Sequence, residues 1–114
     1  MIIAVPVTAD DRVAHGWGRA ARVAVAAAAD GVISAWQVHD VGWDALHDEG
    51  TEGAHHARVV RFLKDNEVEA VTAEHMGEPM VRTLDSMGIA VVLGATGEAR
   101  AGVLAALAVV SGTA

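Results

Sequence analysis

The sequence predicts an α/β fold built on a mixed five-stranded sheet, with its elements in the order βββαβαβα. Short β-branched runs joined by tight turns fill the first part of the chain, and helical apolar stripes then alternate with short apolar runs. Tight turns make the first strands antiparallel, whereas helices between the later strands make those strands parallel through right-handed crossovers. At 114 residues the chain is expected to form one domain, residues 1–114, with its helices in two or three layers.

Three predicted strands open the chain. The first is the β-branched run from Ile2 to Val7, which a polar turn closes. The second, from Arg22 to Ala29, is rich in alanine, but its valines alternate and Asp-Gly follows at once, which is a strong hairpin signal. The third runs from Val32 to Asp40. Its alternation predicts two faces, with Val32, Trp36 and Val38 on one and Gln37 and His39 on the other.

The second half of the chain alternates helices and strands. The polar segment from Val41 to Gly53 is predicted as a loop. After it we expect a helix over 54–66, a strand over 68–73, a helix from Pro79 to a stop at Gly88, a strand over 89–93 and a helix capped by Thr96 that ends near Val110. Proline suits the first turn of a helix, glycine its end, and a threonine hydroxyl its N-cap.

The composition limits the function classes. The chain has no cysteine, which excludes disulfides, thiolate metal sites and cysteine nucleophiles. Fifteen acidic against eight basic side chains give a net charge of −7, which argues against nucleic acid as a partner. No secretory signal is visible and no apolar run approaches the ~20 residues that span a bilayer, so we expect a cytoplasmic protein. P-loop, GxSxG, HExxH and GxGxxG motifs are absent, which favours a binding protein over an enzyme.

Histidines near the predicted strand ends are the candidate site residues. They are His15 after the first strand, His55 and His56 at the start of the first helix, and His75 after the fourth strand. Ligands bind at the carboxyl ends of parallel strands, helix N-termini favour anions, and imidazole is the commonest metal ligand. The same positions also fit histidines without a metal role, since His55 and His56 lie at a solvated helix start and His15 can order its own loop. No recognised zinc-ligand spacing is present. We interpret His39 and His47 as ordinary surface histidines.

Several segments resemble a known family in their order and spacing. They are Ile2 to Val7, then His15-Gly16-Trp17-Gly18-Arg19-Ala20, then Asp30-Gly31, the helix and strand over 57–71, the turn from His75 to Pro79, and the segment from Leu84 to Val91. Together they resemble the nitrogenase iron–molybdenum cofactor biosynthesis family, which includes NifX and the C-terminal domain of NifB. The resemblance covers about residues 2–108, with Trp17 where the family usually has phenylalanine.

The resemblance implies a ribonuclease H-like fold that binds, carries or inserts a metal–sulfur cluster or its precursor without catalysis. Some relatives hold a molybdenum–copper sulfide, so we expect a cluster containing molybdenum, iron or copper. Such clusters are anionic, which makes helix N-termini, arginines and histidines suitable contacts. This chain departs from the family in two places: the stretch from Gly50 to His56 has no thiol, and His75 replaces a small or apolar residue.

The leading hypothesis assigns two sets of residues to the cluster. His55, His56 and His75 bind the metal, and His15, Arg19 and Gly77 contact the rest of the cofactor and close the site. The expected partners are the cluster or its anionic precursor, a cofactor-assembly or acceptor protein, and a second copy of the chain at an open sheet edge. No membrane or nucleic acid is expected to bind.

Two other classes of function remain open. One is a metal-free module that binds a protein partner or a small anion, which the acidic loop from Asp44 to Glu52, with Trp43 beside it, suggests. The other is a hydrolase, which would need Asp10 or Asp11 to meet a carboxylate of that acidic loop.

Overall fold

The computed structural model describes residues 1–112 and confirms the predicted α/β class. The strands are β1 (Ile2–Val7), β2 (Arg22–Ala29), β3 (Val32–Asp40), β4 (Ala70–Ala73) and β5 (Ala90–Leu93). The helices are α1 (Trp43–Leu46), α2 (Glu52–Asp65), α3 (Glu78–Ser86) and α4 (Ala99–Val110). None of the helices within residues 1–112 is long and apolar enough to cross a membrane.

The five strands form one mixed sheet in the order β3-β2-β1-β4-β5. β1 pairs antiparallel with β2 and parallel with β4, and β5 extends the parallel part. The Asp30–Gly31 turn joins β2 to β3, and both of its residues have positive φ, the left-handed geometry that favours Asp-Gly. The sheet therefore has the mixed pairing that the tight turns and the helical crossovers predicted.

Helices cover both faces of the sheet, so the fold has three layers. On one face Ile3 and Val5 of β1 pack in a buried cluster with Val103 of α4. On the other face Ala4 belongs to a second cluster, which contains buried side chains of α1, α2 and α3. Because successive side chains of a strand point to opposite faces, β1 contributes to both cores and is the central strand of the protein.

A short helix, α1, lies within the segment that we predicted as a loop. Trp43 begins it and is only 2% exposed, with its ring 5.3 Å from that of Trp17 and 5.5 Å from that of Phe62. Its backbone N–H donates to the carbonyl of Ala20 at 2.9 Å. No periodic pattern predicts this helix, because a single turn with one buried side chain has no apolar stripe.

The predicted faces of β3 are wrong in part, because a β-bulge interrupts the alternation. Ser34 has no partner in the register with β2, and the pairing shifts by one residue there. As a result Ile33 and Trp36 both pack against the α4 side of the sheet. Val32, predicted to share a face with Trp36, is 63% exposed.

Helix and strand ends differ from the predicted ones by a few residues. α2 begins at Glu52, because the Thr51 hydroxyl accepts a hydrogen bond from the N–H of Ala54 at 3.0 Å. Thr96 does not cap α4, which begins at Ala99 after Gly97. Gly97 has a φ of 79°, which a helix cannot continue through, and its carbonyl accepts from the loop after β1.

Removing a buried leucine from the α3 layer tests the packing. We expect Leu84→Ala to lower the free energy of unfolding by about 3 kcal/mol, because Leu84 is fully buried and the change leaves a cavity. Leu93→Ala, at an exposed leucine that ends β5, is expected to cost less than about 1 kcal/mol. Urea denaturation measures both. Equal losses for the two variants would contradict the layer assignment.

Candidate functional site

A cleft of about 610 Å³ lies at the carboxyl ends of β1 and β4. Three segments line it: the loop after β1, the connection from α1 into α2, and the segment from the end of β4 into α3. Its lining includes Gly16, Trp17, Gly18, Arg19, His47, Asp48, Gly50, Glu52, His55, His56, His75, Met76, Gly77, Pro79 and Met80. We call it the histidine cleft. The loops that follow neighbouring parallel strands lie at the same edge of a sheet, and ligands of α/β folds bind at that edge.

His55 is a structural link between the segments that form the cleft. Its side chain is buried, with Nε2 2.8 Å from the carbonyl oxygen of Gly18 and Nδ1 2.8 Å from a guanidinium nitrogen of Arg58. A guanidinium can only donate, so Nδ1 accepts from Arg58 and Nε2–H donates to Gly18. The same Arg58 nitrogen also donates to the carbonyl of Leu46 at 3.1 Å. Both ring nitrogens of His55 are therefore occupied by protein partners.

His56 and His47 flank His55 in the cleft with more accessible rings. His56 Nε2 lies 4.0 Å from a Glu52 carboxylate oxygen, one helical turn earlier. His47, which we interpreted as a surface residue, is largely buried and lines the cleft. Its Nδ1 is 3.4 Å from Asp48, but the geometry is not that of a hydrogen bond, so within residues 1–112 this buried nitrogen has no hydrogen-bond partner. No sequence signal marks His47, since its burial follows from the unpredicted helix α1.

Arg19 and Gly77, which the sequence analysis assigned to cofactor contacts, both border the cleft. Arg19 is exposed and forms no ion pair with any residue of the described part of the chain. Gly77 is the N-cap residue of α3, where the first backbone N–H groups have no acceptor within the helix. Pro79 contributes no N–H there, and the carboxylate of Glu78 pairs with Arg82.

The structure groups His75 with His15 and Glu74. Ligand atoms of these three side chains all lie within 4.8 Å of one another. The rings of His15 and His75 meet edge to face at 4.8 Å, and His15 Nδ1 is 3.5 Å from Glu74 Oε2. Glu74 was missed by the sequence analysis, although its place directly after β4 was the available signal. His55 and His56 are not members of this group.

Comparison with solved structures identifies the class of fold. The apo form of the orange protein from Desulfovibrio gigas aligns with a TM-score of 0.73 at 22% identity, over 98% of this chain and 88% of that one. A Thermotoga protein provisionally described as NifB aligns with a TM-score of 0.65 at 21% identity, over 98% and 89%. At such low identity the likeness shows the fold alone.

A family assignment follows from the sequence. The family model for "Dinitrogenase iron-molybdenum cofactor" matches residues 1–109, so the chain belongs to that family. The resemblance drawn from the order of the motifs is thereby confirmed. The family is of a cofactor-binding, accessory type. A search of curated proteins gives no significant match.

Replacing His55 tests its role as a structural link. We expect His55→Ala to lower the free energy of unfolding by about 2 kcal/mol, because Arg58 and the Gly18 carbonyl each lose a hydrogen-bond partner. His56→Ala is the matched control, since it makes the same change at the next helical position. It is expected to stay within about 0.5 kcal/mol of the parent in urea denaturation. Equal losses of unfolding free energy in the two variants would refute the structural role of His55.

Proposed function

We propose that the histidine cleft binds an anionic metal–sulfur cluster, or its precursor, for carriage to or insertion into an acceptor protein. The observation that carries the proposal is a cleft lined by His56, His75 and Arg19 in a chain of the iron–molybdenum cofactor family that has no thiol. Without thiolates, imidazole nitrogens are the side chains best suited to bind the metal atoms of such a cargo.

Each part of the cleft suits one part of such a cargo. His56 and His75 supply nitrogen ligands to metal atoms, and Arg19 supplies a fixed positive charge that no carboxylate of residues 1–112 neutralises. Bridging sulfides accept hydrogen bonds, and the N–H groups that follow Gly77 at the start of α3 can donate them. The volume of about 610 Å³ is in the range of small-molecule sites.

Two buried side chains of the lining support the cleft without binding the cargo. Trp17 is 2% exposed, and its ring packs edge to face with that of Trp43 at 5.3 Å. His55 has a positioning role in the proposal, because its nitrogens already bind Gly18 and Arg58.

Carboxylates around the cleft do not preclude an anionic cargo. Asp48 and Glu52 each lie within 4.0 Å of a histidine nitrogen, and Glu78 pairs with Arg82. These side chains are exposed, so solvent screens much of their charge. Arg19 and the N–H groups of α3 are therefore the groups on which anion binding depends.

A metal-free anion-binding module is the second candidate. The unpaired Arg19 and the start of α3 favour it as much as they favour a cluster. Docking of a protein partner through Trp43, in contrast, loses its support, since this side chain is buried against Trp17 and Phe62. The two candidates differ in whether metal remains bound to the protein after gel filtration.

Reconstitution with tetrathiomolybdate and copper tests the proposal. We expect the intact protein to retain both metals through gel filtration, with a visible absorption band that neither reagent gives alone. Arg19→Ala combined with His56→Gln should lower retained metal by about tenfold or more, because a charge-assisted contact and a ligand are lost. Arg61→Ala, at an exposed arginine of α2 outside the cleft lining, is the matched control and should leave retention unchanged.

The opposite result separates the candidates. Retention that is equal in the double variant and the control would refute the site. Displacement of thiomolybdate by simple anions, with no copper retained, would favour the metal-free module.

A further inference from the structure

We propose that His15, Glu74 and His75 form a mononuclear site for a divalent transition-metal cation, which shares only His75 with the proposed cluster site. We call these three side chains the triad. Within residues 1–112 it is the one group of three or more potential ligand residues whose ligand atoms all lie within 4.8 Å of one another. The proposal goes beyond cluster binding, because it concerns a cation and depends on the carboxylate of Glu74, which attracts a cation and repels an anionic cargo.

The spacing of the triad is close to that of a metal site. Ligand atoms about 2.0–2.2 Å from one ion lie roughly 2.9–3.5 Å from each other. His15 Nδ1 and Glu74 Oε2 are already 3.5 Å apart, and the two imidazole rings stand edge to face at 4.8 Å. The edge-to-face arrangement brings the two rings together without stacking. The ligand atoms of the triad reach the spacing of a metal site when the ends of these side chains move by roughly 1–2 Å.

The backbone on both sides of the triad is held in place. Beyond β4, the carbonyl of Glu74 accepts from the N–H of Gly94 at 2.8 Å, and that of Ala73 accepts from Ala95 at 3.1 Å. Beyond β1, the N–H of Ala14 donates to the carbonyl of Pro6 at 2.9 Å, next to His15. The backbone is therefore held at Glu74 and directly before His15, so that rotation of the side chains can bring the ligand atoms closer.

The donor set selects the class of metal. Two imidazoles and one carboxylate suit zinc, cobalt, nickel and copper ions, whereas calcium and magnesium prefer sets made of oxygen alone. The side chains of His15 and Glu74 are 83% and 38% exposed, so water completes the coordination sphere. A site with three protein ligands and open positions can also accept an exogenous ligand, unlike a closed structural site.

The charge of Glu74 separates this site from the cluster site. A carboxylate in the triad attracts a cation and repels an anionic sulfide cluster, whereas Arg19 does the reverse. An ordinary exposed ion pair between His15 and Glu74 is the competing explanation, and such a pair contributes little to stability. The two explanations differ in one respect: a metal site requires all three side chains, including His75, for one bound ion.

Cobalt titration of the metal-free protein is the experiment. We expect one Co²⁺ per chain, detected by its visible d–d absorption, and competition by Zn²⁺ at the same stoichiometry. Glu74→Gln, His15→Ala and His75→Ala should each weaken Co²⁺ binding by about tenfold or more, since loss of even an outer-shell contact costs that much. His39→Gln, at a histidine outside the triad and the cleft lining, is the control and should bind as the parent does.

A second measurement distinguishes this proposal from cluster binding. Arg19→Ala should weaken tetrathiomolybdate–copper retention and leave Co²⁺ affinity unchanged. Glu74→Gln should weaken Co²⁺ binding and should not weaken tetrathiomolybdate–copper retention. Circular dichroism establishes that both variants are folded. Co²⁺ binding that Glu74→Gln or His15→Ala leaves at the parental affinity would overturn the triad site, as would the absence of any saturable Co²⁺ binding. Neither result would bear on cluster retention.

Discussion

The parallel pairing of β1 with β4 is the constraint on which the cleft depends. Ile3 pairs with Ala70 and Ala4 with Val71, so both strands run in the same direction at the centre of the sheet. Their following loops leave at one edge because of that direction. An antiparallel pairing would send the His15 loop and the Glu74–His75 segment to opposite edges. Burial of β1 on both faces, against α4 and against the other helices, holds this pairing in place.

A buried hydrogen-bonded chain then fixes the shape of the cleft. His55 joins the Gly18 loop to α2, and Arg58 joins α2 to the end of α1 through the carbonyl of Leu46. Beneath this chain, Trp17 and Trp43 pack edge to face, which anchors the same two loops from the core. Polar links above and aromatic packing below hold segments that have no regular pairing with one another. The cleft is thus a property of three loops held together by side chains.

The two proposals place two kinds of metal chemistry side by side at this edge of the sheet. The chain carries a net charge of −7, yet Arg19 and the N–H groups at the start of α3 offer contacts for an anion in one part of the cleft. The His15–Glu74–His75 triad beside it offers a carboxylate and two imidazoles. On the two proposals, cargo and cation share His75 and are distinguished by Arg19 and Glu74.

The sequence alone determined most of the fold and the family. The bounds of β1, β2 and β3, the Asp30–Gly31 turn and the proline start of α3 follow from side-chain periodicity and turn chemistry, which act over a few residues. Only the tertiary structure decided the bulge at Ser34, the helix at Trp43 and the grouping of His15 with Glu74. These features depend on strand register and on burial between segments distant in the chain, for which a local pattern carries no signal.

The composition alone shows that the chain has no cysteine and six histidines. Only packing decided which histidine nitrogens have protein partners, because burial places both nitrogens of His55 within hydrogen-bond distance of Gly18 and Arg58.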